Sequence, residues 1–263
     1  MNIGFFDSGL GGLLILKAVA QALPQYDYIY YGDTANLPYG DKTETEVYDL
    51  TETAIEELFK RDCLLVIVAC NTASAESIKR IQDTYLKEEH PDRRILGVIV
   101  PTVEEVIEKG FTRAILLATT RTVESGKYLR ELSKGTHQTI ELISIATPEL
   151  VPLIESGNLL EATKIAIAVL DARVGEGDVV LLGCTHYALL KGALRLHFGA
   201  RLTFVSQDEV IPYKLQQYLN KHPEICDRIS DTGKREIVLT EHRPDYDRLI
   251  AEFLNGAYLP DES

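Results

Sequence analysis

Cys70 and Cys184 each close an apolar run and open a string of hydrogen-bonding residues, LLVIVACNTAS in the first half of the chain and DVVLLGCTHYA in the second. A thiolate is both a nucleophile and a base, and its ordinary pKa of about 8.5 is tuned by its surroundings. Two thiols serving one site could remove a proton from one side of a substrate carbon and return one on the other. Taken singly, a cysteine after an apolar strand reads as a small core residue. The repeat of strand, cysteine and polar donors argues for a pair. Asn71 and Thr72 follow the first thiol, Thr185 and His186 the second. They offer amide and hydroxyl groups for a carboxylate, and an imidazole suited to exchanging or steadying a proton near pH 7.

More polar groups fall where apolar runs end. Asp7-Ser8-Gly9-Leu10-Gly11-Gly12 supplies a carboxylate, a hydroxyl and glycines that let backbone approach a ligand. The same string also reads as a tight turn capped by Asp7 or Ser8, and Leu14 at the third glycine position rules out a dinucleotide fingerprint. Tyr39 and Gly40, in a Pro-Tyr-Gly string, form either a turn with the ring packed beneath it or a binding loop that offers the tyrosine hydroxyl and Gly40 backbone. Thr119, Thr120 and Thr122 are helix caps or ligand donors. Glu155 falls in or just past the first turn of a helix if Pro152 takes the first helical position, which proline favours. It is then a solvated glutamate or a partner of the site.

These groups need a scaffold of strands. Apolar runs at 2–6, 27–31, 64–69, 95–100, 114–118, 140–145, 178–183 and 202–205 read as strands, several of them continuous, as suits strands covered on both faces. Helical patterns alternate with them. Over 43–60, Val47, Leu50, Ala54 and Leu58 repeat behind a Thr43/Glu46 capping box. Over 158–174, Asn158 and Glu161 stand in the same relation, with Leu160, Ile167, Leu170 and Val174 on one side. A further helix is expected to begin near Ser74. The alternation predicts an α/β fold with mainly parallel sheets flanked by helices, in which ligands bind beyond the carboxyl ends of the strands.

Composition bounds the function. With 263 residues and 45% hydrophobic content, the chain can bury a core and divide into about two domains. No apolar stretch approaches the roughly 20 residues that cross a bilayer, and the N-terminal string lacks signal-peptide features, so a cytoplasmic protein is expected. Cys63, Cys70, Cys184 and Cys226 form no CxxC pair, so neither a zinc site nor a disulfide framework is indicated. A net charge of −13 opposes a nucleic-acid partner.

The strings IGFFDSGLGGL, YYGDTANLPYG, VIVACNTASA, ATPELVPLIESG and LLGCTHY, in that order, resemble those of the glutamate racemases, in the cofactor-independent aspartate/glutamate racemase family. The resemblance covers residues 3 to about 190. It implies an isomerase that interconverts L- and D-glutamate without a cofactor or metal and supplies D-glutamate for peptidoglycan. Cys184 would act on the L-enantiomer and Cys70 on the D. Asp7 and the Glu155–His186 pair would assist the thiols, and binding residues would fall on Asp7, Ser8, Tyr39, Gly40, Asn71, Thr72, Thr185 and His186, with Thr119 and Thr122 as further candidates. It also implies two pseudo-symmetric domains, 1–97 with 208–263 and 98–207, an active site in the cleft between them, and a homodimer. The chain departs from the usual family pattern at Val100, Ala188 and Ser206-Gln207, outside the thiol chemistry. Three alternatives carry different expectations. A racemase for aspartate would keep both cysteines and change the pocket for the distal carboxylate, a decarboxylase or isomerase would keep one working cysteine, against which the two complete cysteine motifs argue, and a non-catalytic amino-acid-binding regulator would bind glutamate without racemising it.

Overall fold

The computed structural model describes residues 1–134, 139–244 and 246–254. Its strands are β1 (Asn2–Asp7), β2 (Tyr28–Gly32), β3 (Cys63–Val68), β4 (Arg94–Gly97), β5 (Arg113–Ala118), β6 (Glu141–Ala146), β7 (Val179–Gly183), β8 (Thr203–Val205) and β9 (Arg235–Leu239). They form two sheets, ordered β4-β3-β1-β2-β9 and β6-β5-β7-β8, and every pairing is parallel. Numbered by appearance, each sheet runs 2-1-3-4, with β9 added beside β2. Cys70 and Cys184 therefore both follow the third strand of their sheet.

The continuous apolar runs sit where burial demands them: every residue of β3 and of β7 is buried, as expected of parallel strands covered on both faces. Helix Gln207–Lys221 lays Ile211, Leu215 and Leu219 beside Leu13, Leu16 and Val19 on the first sheet. Helix Ile99–Glu108 lays Ile99, Val103 and Val106 against Ala114 and Leu116 of the second. Each such aliphatic side chain contributes about 1.5–3 kcal/mol on burial.

Local signals fix most boundaries. Thr43 and Glu46 form the expected capping box of helix Glu44–Lys60, which turns Val47, Ala54 and Leu58 inward while Leu50 is half-buried. In helix Leu159–Asp171, Asn158 accepts from the Glu161 N–H at 3.4 Å, but the buried row is Ala162, Ala166 and Leu170. Leu160 is 70% exposed, and Val174 lies past the helix end. The small alanines let the helix approach its neighbours closely, so the larger side chains on adjacent rows are left at the rim.

Three further sequence expectations are corrected. The run at 95–100 is not one strand: β4 ends at Gly97 and a helix starts at Ile99. Pro101 fits in that helix's first turn, where an N–H would have no intrahelical acceptor. The helix after Cys70 starts at Asn71 rather than near Ser74. Pro152 is the third residue of helix Leu150–Glu155 rather than the first, and Glu155 is its last. Among the described residues no helix is long and apolar enough to cross a membrane.

Candidate active site

In a sheet of order 2-1-3-4 the chain reverses direction across the sheet between the first and third strands, and the crevice beyond their carboxyl ends is the usual ligand site. Here those ends deliver Asp7 as the last residue of β1 with Ser8 behind it, Cys70 after β3, Thr119 after β5 and Cys184 after β7. The two crevices face each other. One cavity of about 40 Å³ is lined by both thiols together with Ser8, Tyr39, Gly40, Asn71, Thr72, Thr119, Thr185 and His186. Asp7, Thr122 and Glu155 stand behind this lining.

The loops of the two sheets touch closely. A Cβ on Gly11 would sit 2.5 Å from Thr185 Oγ1 and 2.8 Å from His186 Nδ1, so only glycine allows the β1 loop to lie against the Cys184 loop. A Cβ on Gly40 would meet Thr119 Cβ at 3.1 Å. Three hydroxyls bridge the sheets: Thr72 Oγ1 lies 3.0 Å from Thr119 Oγ1 and 3.3 Å from Thr122 Oγ1, and Thr119 donates to Thr122 at 3.0 Å.

Cys70 caps helix Asn71–Glu76, its sulfur accepting from the Ala73 N–H at 3.5 Å and lying 3.4 Å from Ser8 Oγ. Burial pushes its thiol up to about 12, the Asp7 carboxylate adds to this, and the contacts from Ser8 and Ala73 oppose it. Negative charge on Cys184 raises it further. Asp7 is fully buried. Its Oδ2 accepts from the Gly12 N–H at 3.0 Å and lies 3.4 Å from the Gly9 N–H and the Tyr30 hydroxyl, while its Oδ1 is unpartnered. Burial raises this carboxyl above its ordinary value against the pull of His186 and of the Gly12 and Gly9 amides, with Glu155 adding to the rise.

The second thiol has different neighbours. His186 Nδ1 lies 3.8 Å from Cys184 Sγ and 3.4 Å from Thr185 Oγ1. Its Nε2 is 3.1 Å from Glu155 Oε1, an ion-pair distance at which the N–H is not aligned for a hydrogen bond. Burial alone would lower the imidazole, yet Cys184 and Glu155 outweigh it and raise its pKa well above the ordinary histidine value. One side of the cavity thus favours a neutral thiol, and the other surrounds its sulfur with a cation.

Tyr39 combines its two sequence readings. Its ring lines the cavity and packs beside Phe6, but its hydroxyl donates to Asp33 Oδ2 at 2.6 Å and is already engaged. Asp33 also accepts from Asn36 and, at 2.8 Å, from Thr240 beyond β9. Asp33, Tyr30, Tyr128 and Gln207 complete the polar surroundings; none of them was expected at the site from sequence, and Gln207 was named only as part of a departure from the family pattern. Gln207 could have been found, because it stands two residues past the end of β8 as Cys70 stands two past the end of β3. Tyr30 and Tyr128 lie inside regular elements and carry no local signal. Among the described residues no group of three or more His, Cys, Asp or Glu side chains could hold a metal ion.

Fold and site together define a class: a doubly wound, two-sheet α/β protein whose acid–base groups come from both sheets to one small cleft. A family model described as Asp/Glu/Hydantoin racemase matches residues 14–206. The glutamate racemase of Paracoccus denitrificans (strain Pd 1222) is 36% identical over 241 residues, covering 86% of this chain and 87% of that protein. Among solved structures, the glutamate racemase of Aquifex pyrophilus superposes with a TM-score of 0.79 at 30% identity, over 99% of this chain and 97% of that one. The glutamate racemase of Francisella tularensis subsp. tularensis SCHU S4, solved in complex with D-glutamate, shares the fold with a TM-score of 0.85 at 24% identity, over 97% and 93%. The chain belongs to the Asp/Glu/Hydantoin racemase family.

Proposed function

We propose that this chain racemises glutamate by two-base thiol chemistry, without a cofactor, with Cys70 and Cys184 as the acid–base pair on opposite faces of the substrate α-carbon. The observation that carries the mechanism is the unequal setting of two thiols on one cavity. Cys70 is held as a neutral acid by burial and Asp7, whereas Cys184 lies beside an imidazole that stays protonated beyond its ordinary range. Glutamate as the substrate is supported by the similarity to relatives of that name.

Starting from L-glutamate, the Cys184 thiolate takes the α-proton while the His186 imidazolium, steadied by Glu155, balances the charge left on the site. The Cys70 thiol delivers its proton to the other face. In reverse, Asp7 accepts the Cys70 proton, a task suited to a carboxyl whose pKa burial has raised toward that of its partner. An α-proton beside a carboxylate is a very weak acid, so the developing carbanion needs preorganised donors. Ser8, Asn71, Thr72 and Thr185 are hydroxyl and amide groups on the cavity wall able to hold the substrate's carboxylates; Thr119, Tyr39 and Gly40 continue that wall, and Thr122 holds Thr72 and Thr119 from behind it.

The same reading divides the chain into 1–97 with 208–263 and 98–207; residues 135–138, 245 and 255–263 lie outside the described ones. It includes a homodimer, for which exposed Leu159, Leu160 and Leu196 offer apolar surface, and a cytoplasmic location where free thiols persist and D-glutamate feeds peptidoglycan synthesis. Purified protein given L- or D-glutamate without added cofactor, followed by optical rotation, tests the activity. Racemisation from either side is expected, with aspartate turned over far more slowly. Folded protein that leaves glutamate unchanged, or that prefers aspartate, would reject the assignment.

A further inference from the structure

Behind Asn71 lies a buried amide cluster that the thiol chemistry does not use. Gln207 opens helix Gln207–Lys221 and is only 2% exposed. Its carboxamide meets that of Asn71 in a reciprocal pair: Asn71 Nδ2 donates to Gln207 Oε1 at 2.8 Å, and Gln207 Nε2 donates to Asn71 Oδ1 at 2.7 Å. The Tyr128 hydroxyl, on a helix packed against the second sheet, donates to the same Asn71 Oδ1 at 2.7 Å, and Gln207 Nε2 also reaches the Tyr128 oxygen at 3.2 Å. Both acceptor sites of Asn71 Oδ1 are therefore occupied, and its Nδ2 keeps one N–H beyond the pair.

Asn71 follows Cys70 directly and lines the cavity. Turning its side chain would strand several buried polar atoms, each at the cost of a lost hydrogen bond. Gln207 spends both ends of its carboxamide on this residue and on Tyr128 rather than on its own helix.

We propose that Gln207 is a positioning residue for the amino-acid substrate: paired with Asn71, it aims the remaining Asn71 N–H at a substrate carboxylate, and Tyr128 ties that aim to the approach of the two sheets. This inference rests on the racemase reading above. Gln207 touches no reacting atom, so its loss acts on substrate binding more than on proton transfer.

Gln207→Glu and Gln207→Ala in the full chain, compared with the wild type on both glutamate enantiomers, test it. A carboxylate at 207 still accepts from Asn71 Nδ2 but cannot donate to Asn71 Oδ1, so KM of Gln207→Glu is expected to rise about tenfold at alkaline pH. Burial raises the pKa of the introduced carboxyl, and its protonated form donates to Oδ1 again. KM should then fall toward the wild-type value as the pH drops, with kcat changed less than about threefold. Gln207→Ala should show the raised KM at every pH. If Gln207→Ala does not fold, the nearly isosteric Gln207→Glu, with Tm measured alongside, carries the test. A KM unchanged in both variants, or a pH-independent loss of kcat and affinity together, would overturn the proposal while leaving the racemase reading in place. A folded wild type that leaves glutamate untouched would overturn both.

Discussion

At neutral pH the Cys70 thiol, pushed up to about 12 by burial and by Asp7, carries its proton, while His186 keeps a positive charge beside Cys184. In the proposed mechanism each sulfur is one of the two bases. Cys70→Ala or Cys184→Ala should lower racemisation by roughly 10³-fold or more. Cys63→Ala and Cys226→Ala should leave the rate within about twofold, because neither thiol lines the cavity. The His186 charge can be read directly. Its imidazole should titrate by NMR well above the ordinary value of about 6.5, and Glu155→Gln should move the midpoint down by removing the carboxylate 3.1 Å from Nε2. The folded state holds this proton more tightly than the unfolded chain. The stability it contributes is therefore fully present below about 6.5 and is lost as pH rises through the folded value. Asp7 has the opposite consequence for stability. Its raised pKa means that the ionised form is costly when folded at neutral pH, so Asp7→Asn should keep or raise Tm at pH 7 while slowing turnover, most in the D-to-L direction. A fall in Tm together with unchanged activity would contradict the role given to that carboxyl.

The elements deliver these residues by one rule applied twice, that of the third strand in a 2-1-3-4 sheet. Eight strands of this scaffold are readable as apolar runs, most plainly β3 and β7, because parallel strands buried on both faces cannot hide their composition. Both thiols and their polar followers were legible for the same reason: a ligand group stands where such a run stops. What the sequence could not show is pairing at a distance. The Asn71–Gln207 amides are separated by 136 positions, and no local pattern joins them. Tyr39 offered two readings that only packing could reconcile. Helix Leu159–Asp171 misleads because its buried row is alanine-rich while a leucine stands outside. That correction is testable: Leu160→Ser should shift stability by no more than about 0.5 kcal/mol, whereas Leu170→Ala should cost about 2–5 kcal/mol, as measured by denaturant unfolding.

Across the whole molecule, the chemistry depends on how closely two like-folded sheets meet. The cavity between them is about 40 Å³ and is lined from both. Gly11 sets that approach. Gly11→Ala places a methyl against Thr185 and His186, and should lower kcat/KM by roughly 10²-fold while circular dichroism stays native. The central claim is that one sulfur removes the α-proton and the other supplies its replacement. The most direct measurement starts the reaction from L-glutamate in deuterated water and reads α-deuterium separately in product and remaining substrate at early times. Two facing thiols predict D-glutamate that carries solvent deuterium from the first turnover, while the recovered L-glutamate is still protiated. D-glutamate that keeps the original α-proton, or deuterium entering both enantiomers equally from the outset, would contradict it.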